Sequence, residues 1–194
     1  GNEGSGRVIA AGESDAAQAL IGLRVGMFGG EIYAEHRRLP ASQCMAFPDR
    51  ISAEQAASCF VNPMTALGFM ETRLMEGQQA IVHTAAASNL GQMLLRLCHA
   101  DDVPLVNIVR SEEQVALLKS KGAEWALNSQ VESFMKDLIA ALVATGATLA
   151  FDAIGGGRGV NRILTAMEIA AAQTGPWSRY GSEEPKQAFI YGCL

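Results

Sequence analysis

The segment HTAAASNLGQM, residues 83–93, carries an apolar strand pattern into a run of small residues and out again into a helical one. A helix that starts at the end of a buried strand offers free N–H groups and the positive end of its dipole, an arrangement suited to phosphate. Bulky side chains at that turn would hold an anion off the backbone. Ala86, Ala87, Ser88, Asn89, Leu90 and Gly91 therefore read as a degenerate pyrophosphate turn, with Ala86-x-Ser88-x-x-Gly91 in place of G-x-G-x-x-G. In this reading Gly91 lets the helix lie close to the strand, and Ser88 and Asn89 can add side-chain hydrogen bonds to phosphate oxygens. The same small residues would equally serve a helix start that merely packs tightly.

A second stretch tests the first. The next apolar run, PLVNIVR (104–110), ends in Arg110 followed by Ser111. A site for NAD places a carboxylate at the end of this strand for the ribose hydroxyls, whereas a 2′-phosphate wants a cation. Arg110 and Ser111 favour NADPH over NADH, although Glu112 and Glu113 follow at once and could pair with Arg110 as a solvated surface arginine. Two later runs end in glycine. FDAIGGG places Gly155, Gly156 and Gly157 at one strand end and FIYGC places Gly192 at another, where a flat nicotinamide ring would need room; either stretch also reads as a plain turn.

These residues need a scaffold that brings several strand ends to one edge. From residue 78 onward the chain alternates strand and helix: QAIVHTA (79–85), PLVNIVR, EWALN (124–128), ATLAFDAI (147–154) and QAFIYGCL (187–194) are separated by helical patterns, with Gly122 and Gly146 as C-terminal caps. Continuous apolar strands with helical crossovers specify a parallel sheet covered on both faces, a doubly wound α/β domain. Residues 1–61 instead show short apolar runs at 6–12, 20–30 and 32–41, punctuated by glycine and proline, and read as β-strands of a small curled sheet. Ser52, with Gln55 three residues on, is a capping box for a helix, and Pro63 precedes a second helix from about residue 64 to 74.

Bulk composition narrows the classes. The chain has 194 residues, 49% of them hydrophobic, and a net charge of −5 with both signs dispersed, which leaves no footprint for nucleic acid or an anionic membrane. The four cysteines lie far apart, without a C-x-x-C pair or a Cys-His cluster, so a disulfide scaffold and a zinc knuckle are both unsupported and a cytoplasmic setting fits.

With these motifs placed, the chain resembles the medium-chain dehydrogenase/reductase superfamily, in its zinc-independent quinone oxidoreductase and 2-enoyl thioester reductase branches. GNEGSGRVIAAG, YAEHRRLPA, VNPMTAL, HTAAASNLGQM, LVNIVRS, LLKSKGAEWALN and FDAIGGG occur in the family's order and spacing. The resemblance implies part of a β-rich GroES-like catalytic domain over residues 1–61 and a Rossmann NADP-binding domain over 62–194, the family fold continuing past both ends. It implies NADPH as cofactor and no metal, since Asn2 stands where zinc enzymes of the family carry a histidine ligand. It places Asn62 and Thr65 toward the nicotinamide, although Asn62 ahead of Pro63 also suits a helix N-cap. Tyr180, in the loop TGPWSRYGSEEP, reads either as a lid over the cofactor or as an anchor for its own loop. His83 reads as a hydrogen-bonded core histidine, and Cys193 as a small buried residue near the ring.

The expected activity is hydride transfer from NADPH to a quinone or another α,β-unsaturated carbonyl by a protein that is a homodimer at full length. No catalytic acid is assigned. The alternatives are a trans-2-enoyl thioester reductase and a non-catalytic NADPH-binding protein of the same fold.

Overall fold

Strands bounded by glycine and apolar strands bounded by helices make different sheets, and the computed structural model, which describes residues 1–176 and 178–192, contains one of each. The chain divides into two compact units, Gly1–Thr65 and Ala66–Leu194.

In the first unit, β1 (Glu3–Arg7), β2 (Arg24–Phe28) and β3 (Cys44–Phe47) form an antiparallel sheet in the order β1-β2-β3, with Ser5 opposite Gly26 and Gly26 opposite Met45. Two expectations for this segment are corrected. The first strand lies earlier than the apolar run at 6–12. The stretch 32–41 is not a strand: it bends, Tyr33 is 95% exposed, and the Arg37 guanidinium donates to the carbonyls of Gly29 and Gly30. Four consecutive polar residues (35–38) followed by Pro40 leave that stretch no apolar alternation to bury. The short helix α1 (Asp15–Gln18) begins at Ser14, whose Oγ accepts from the Ala17 N–H.

Helix α2 (Ala53–Ala57) has the capping box expected from its sequence: Ser52 Oγ accepts from the Gln55 N–H at 3.2 Å, and Gln55 Oε1 accepts from the Ser52 N–H at 2.9 Å. Ser52→Ala is expected to cost the protein about 1 kcal/mol, measured as a shift in the urea midpoint. Helix α3 (Val61–Met75) starts earlier than expected. Phe60 is the residue whose carbonyl accepts the first helical bond, from Met64 at 3.1 Å, so the reading of Asn62 as an N-cap is also corrected. Pro63 causes no break because first-turn N–H groups have no helical partner to lose. Glu3 Oε2 takes the Val61 N–H instead, at 2.8 Å.

The second unit is the doubly wound domain. Its elements are β4 (Ile81–Thr84), α4 (Asn89–Ala100), β5 (Leu105–Val109), α5 (Glu112–Ser120), β6 (Trp125–Asn128), α6 (Phe134–Thr145), β7 (Leu149–Asp152), α7 (Gly159–Thr174) and β8 (Gln187–Ile190). All five strands are parallel, in the order β6-β5-β4-β7-β8. Alternate strand residues feed two cores. Ile81, Leu105, Leu149 and Phe151 pack with Phe69, Leu94 and Leu118, while Val82, Val106 and Ala150 pack with Leu138, Leu142, Ile163 and Met167. Helices therefore cover both faces, which is why these strands read as uninterrupted apolar runs. Gly146 ends α6 in the left-handed conformation at φ +65°, and Gly122 follows α5 at φ +91°.

Candidate functional site

The parallel order brings the carboxyl ends of β4, β5, β7 and β8 to one edge of the second unit, and a dinucleotide binds at such an edge where the strand order reverses, here between β4 and β7. At the end of β4 the chain turns sharply: Ala85 has φ +49°, and its carbonyl accepts from the Ser88 N–H at 2.9 Å. Ser88 is the N-cap of α4, with Oγ accepting from the Gly91 N–H at 3.1 Å. The serine that occupies the usual glycine position thus stabilises the helix start. Gly91 lies so close to the strand end that a Cβ there would sit 2.2 Å from the Ala86 carbonyl oxygen. Leu90 turns its side chain into the core, and its N–H and that of Asn89 have no partner among the described residues.

At the end of β5, the Arg110 side chain is exposed, and its guanidinium has no hydrogen-bond or ion-pair partner among the described residues. The expected alternative pairing with Glu112 is corrected: the Glu112 carboxylate accepts from Asn128 Nδ2 at 2.7 Å. Ser111 is the N-cap of α5, accepting from the Gln114 N–H, and Gln114 Oε1 reaches back to the Arg110 N–H at 3.1 Å.

The ends of β4 and β7 are tied by buried polar groups that the glycine pattern did not disclose. Thr84 Oγ1 donates to Asp152 Oδ1 at 2.6 Å and accepts from the Ala153 N–H at 2.9 Å, while Asp152 Oδ2 accepts from the Gly155 N–H at 2.8 Å. Gly155 has φ +72°, and a Cβ on it would meet the Gly192 carbonyl oxygen at 2.3 Å; a Cβ on Gly192 would meet the Ala153 oxygen at 2.3 Å. These two glycines are needed for the strand ends to approach, whereas Gly156 faces open space.

Beside them, His83 Nε2 and the Tyr191 hydroxyl share a hydrogen bond of 2.8 Å, with Phe69 packed against both rings. His83 is wholly buried, and its Nδ1 has no partner. Burial pushes the imidazole down to about 4 against the opposing pull of Asp152, and burial together with Asp152 pushes the Tyr191 phenol up to about 12. A polar aromatic residue in each of two apolar runs was the only signal for this pair.

Residues 87–91, Arg110, Ser111, Gly155, Gly156 and Gly192 thus share the carboxyl edge. Tyr180 does not join them. Helix α7 returns the chain to the amino edge, where the loop holding the 92%-exposed Tyr180 borders a depression of about 700 Å³ that Gly146, Ala147 and Thr148 also line. Asn62 and Thr65 belong to the first unit, in the opening turns of α3, where Thr65 Oγ1 donates to the Val61 carbonyl at 2.7 Å. Cys193 lies outside the described residues. Among the described residues no three His, Cys, Asp or Glu side chains gather as a metal site, and no helix is long and apolar enough to cross a membrane.

The chain has a five-stranded parallel sheet with this order, a small-residue βα turn at its carboxyl edge and, in its other unit, an antiparallel sheet. The proteins that the chain is similar to are quinone oxidoreductases and enoyl reductases of the medium-chain dehydrogenase/reductase superfamily. A solved candidate NADPH:quinone reductase from Mesorhizobium loti is 32% identical with a TM-score of 0.79, over 86% of this chain and 49% of that one. Prostaglandin reductase-3 of Mus musculus is 28% identical over 158 residues, 80% of this chain. The quinone oxidoreductase of Pseudomonas aeruginosa is 27% identical, also over 158 residues. The chain spans 41% and 48% of these two curated relatives. No protein-family model matches it.

Proposed function

We propose that the chain is the nucleotide-binding part, with a portion of the catalytic domain, of an NADPH-dependent oxidoreductase that reduces a quinone or another α,β-unsaturated carbonyl. The observation that carries this reading is the gathering of a bare helix N-terminus, an unpartnered arginine and two close-set glycines on one sheet edge. In it, residues 1–61 belong to a GroES-like catalytic domain and 62–194 to a Rossmann domain.

The residues fit the cofactor. The unpartnered N–H groups of Asn89 and Leu90 can receive the pyrophosphate, with only a methyl on Ala86 and no side chain on Gly91 beside them. Arg110 and the Ser111 hydroxyl can hold the 2′-phosphate, a charge-assisted contact that NADH cannot make. Gly155, Gly156 and Gly192 leave room for the ring, and Asn62 and Thr65 stay assigned to the cofactor by the family resemblance alone. Tyr180 is left out, because its loop is at the opposite edge. When bound, the nicotinamide supplies the hydride, and the protein's share is orientation and exclusion of water. A quinone product can take its protons from solvent, so that acceptor needs no acid from this chain; an enoyl thioester needs a donor for the α-carbon. In the same reading the full protein works without zinc, Asn2 being a poor ligand where a histidine would be required, and acts as a cytoplasmic homodimer on a small electrophile.

Fluorescence titration of the full-length protein tests the proposal. NADPH is expected to bind more tightly than NADH, and Arg110→Ala to weaken NADPH by about 10- to 100-fold while leaving NADH within about twofold, the range for a lost charged hydrogen bond. Adding an ortho-quinone and then a short enoyl-CoA to the loaded protein separates the two acceptor classes. Failure of either nucleotide to bind would sink the reading.

A further inference from the structure

Arg110 can select a 2′-phosphate only if no carboxylate claims it first. Two carboxylates are close in sequence, Glu112 and Glu113, and both occupy the first turn of α5, where the helix dipole favours negative charge. That placement stabilises the helix and at the same time sets negative charge beside the phosphate pocket. We propose, resting on the nucleotide reading above, that Asn128 is a specificity-determining residue: it holds the Glu112 carboxylate away from Arg110, so that the guanidinium stays available for a 2′-phosphomonoester.

Asn128 is placed for this by the sheet. It is the last residue of β6 and pairs in register with Val109, the residue before Arg110, and the Ser129 N–H donates to the Val109 carbonyl at 2.8 Å. The side chain is buried and engaged at both ends: Nδ2 donates to Glu112 Oε1 at 2.7 Å, and Oδ1 accepts from the Gln130 N–H at 3.0 Å. The second bond fixes which end of the amide faces Glu112, because a backbone N–H can only meet the oxygen. Glu112 thus sees a donor in a fixed orientation, whereas Arg110 would have to give up solvent and conformational freedom to compete. The backbone N–H of Arg110 is held separately by Gln114, so the arginine's position does not depend on an ion pair.

The experiment compares binding of 2′,5′-ADP and 5′-AMP by calorimetry, since their ratio isolates the 2′-phosphate without any turnover. Asn128→Ala is expected to lower the ratio about fivefold, the size of one partly exposed charge contact. Adding Glu112→Gln to that variant is expected to restore the ratio to within about twofold of the starting protein. Asn128→Asp keeps the acceptor for the Gln130 N–H but repels Glu112, and should lower the ratio at least as much. Unchanged 5′-AMP affinity in each variant shows an intact fold. An unaltered ratio in Asn128→Ala, or a double variant no better than the single one, overturns the proposal. Arg110→Ala keeps the two readings apart: if it leaves the ratio of the unaltered protein intact, the nucleotide assignment itself has failed, whereas a lowered ratio there with no effect at Asn128 condemns only the tether.

Discussion

Gly91→Ala is expected to lose about 3 kcal/mol of stability, the upper end of what one added methyl costs in a packed interior. The reason is that the new Cβ has nowhere to go. It would lie 2.2 Å from the oxygen, 2.6 Å from the carbonyl carbon and 2.7 Å from the Cα of Ala86, all three of them backbone atoms. A flexible side chain could swing aside; a turn pinned by the Ala86 N–H on the Ile108 carbonyl at 3.2 Å and by the Ser88 cap cannot do so cheaply. Urea melts of the two proteins measure the loss. Nucleotide binding should weaken with it, because relief of the clash must move the first turn of α4, whose N–H groups are the proposed phosphate donors. A Gly91→Ala protein as stable as its parent would mean that the turn is far softer than its hydrogen bonds imply.

Acid is expected to destabilise the protein through His83, well before carboxylates in general protonate. The imidazole is neutral in both folded and unfolded chains above pH 6.5, so it contributes nothing to the pH dependence there. Below that value the unfolded chain takes up a proton while the folded chain, with His83 held at about 4, does not, and stability falls as the pH falls. The loss amounts to about 2 kcal/mol at pH 5 and about 3 kcal/mol at pH 4, at 1.36 kcal/mol per unit. His83→Phe removes this slope, leaving Tyr191, which is 37% exposed, to bond to water. The check is the urea midpoint at pH 7.5 and pH 5 for both proteins. Parallel falls in the two would show that His83 is not the group responsible.

Much of the second unit was legible because its order comes from repetition of one local device. Each apolar run became a strand of four or five residues, wholly buried in β4, β5 and β7, and Ser88 and Ser111 each preceded a helix with an oxygen ready for an orphan N–H. Residues 32–41 misled because strand formation there depends on a partner rather than on local pattern. The β3 strand was overlooked because four residues beside Pro48 carry little periodicity. Local geometry at the candidate site was legible where close approach demands a glycine, at Gly91 and Gly155. It was illegible where the arrangement rests on contacts across the sheet: His83 with Tyr191, Thr84 with Asp152 and Glu112 with Asn128 join residues from different elements distant in sequence. Tyr180 shows the converse error, since a loop's composition does not reveal which edge of the sheet it occupies.

The place of β4 in the middle of its sheet also governs the order of events during folding. One side of β4 meets β5, Ile81 against Leu105, across a single helical crossover; the other side meets β7, Ile81 against Leu149, with α4, β5, α5, β6 and α6 lying between them in the chain. Closing the longer loop costs more entropy, and parallel pairings between distant segments are slow. During refolding, β4 therefore stands for a time as an open, apolar edge that can pair with another chain. The turn that would receive the nucleotide hangs from that strand, so the site can be completed only by the slowest pairing in the domain.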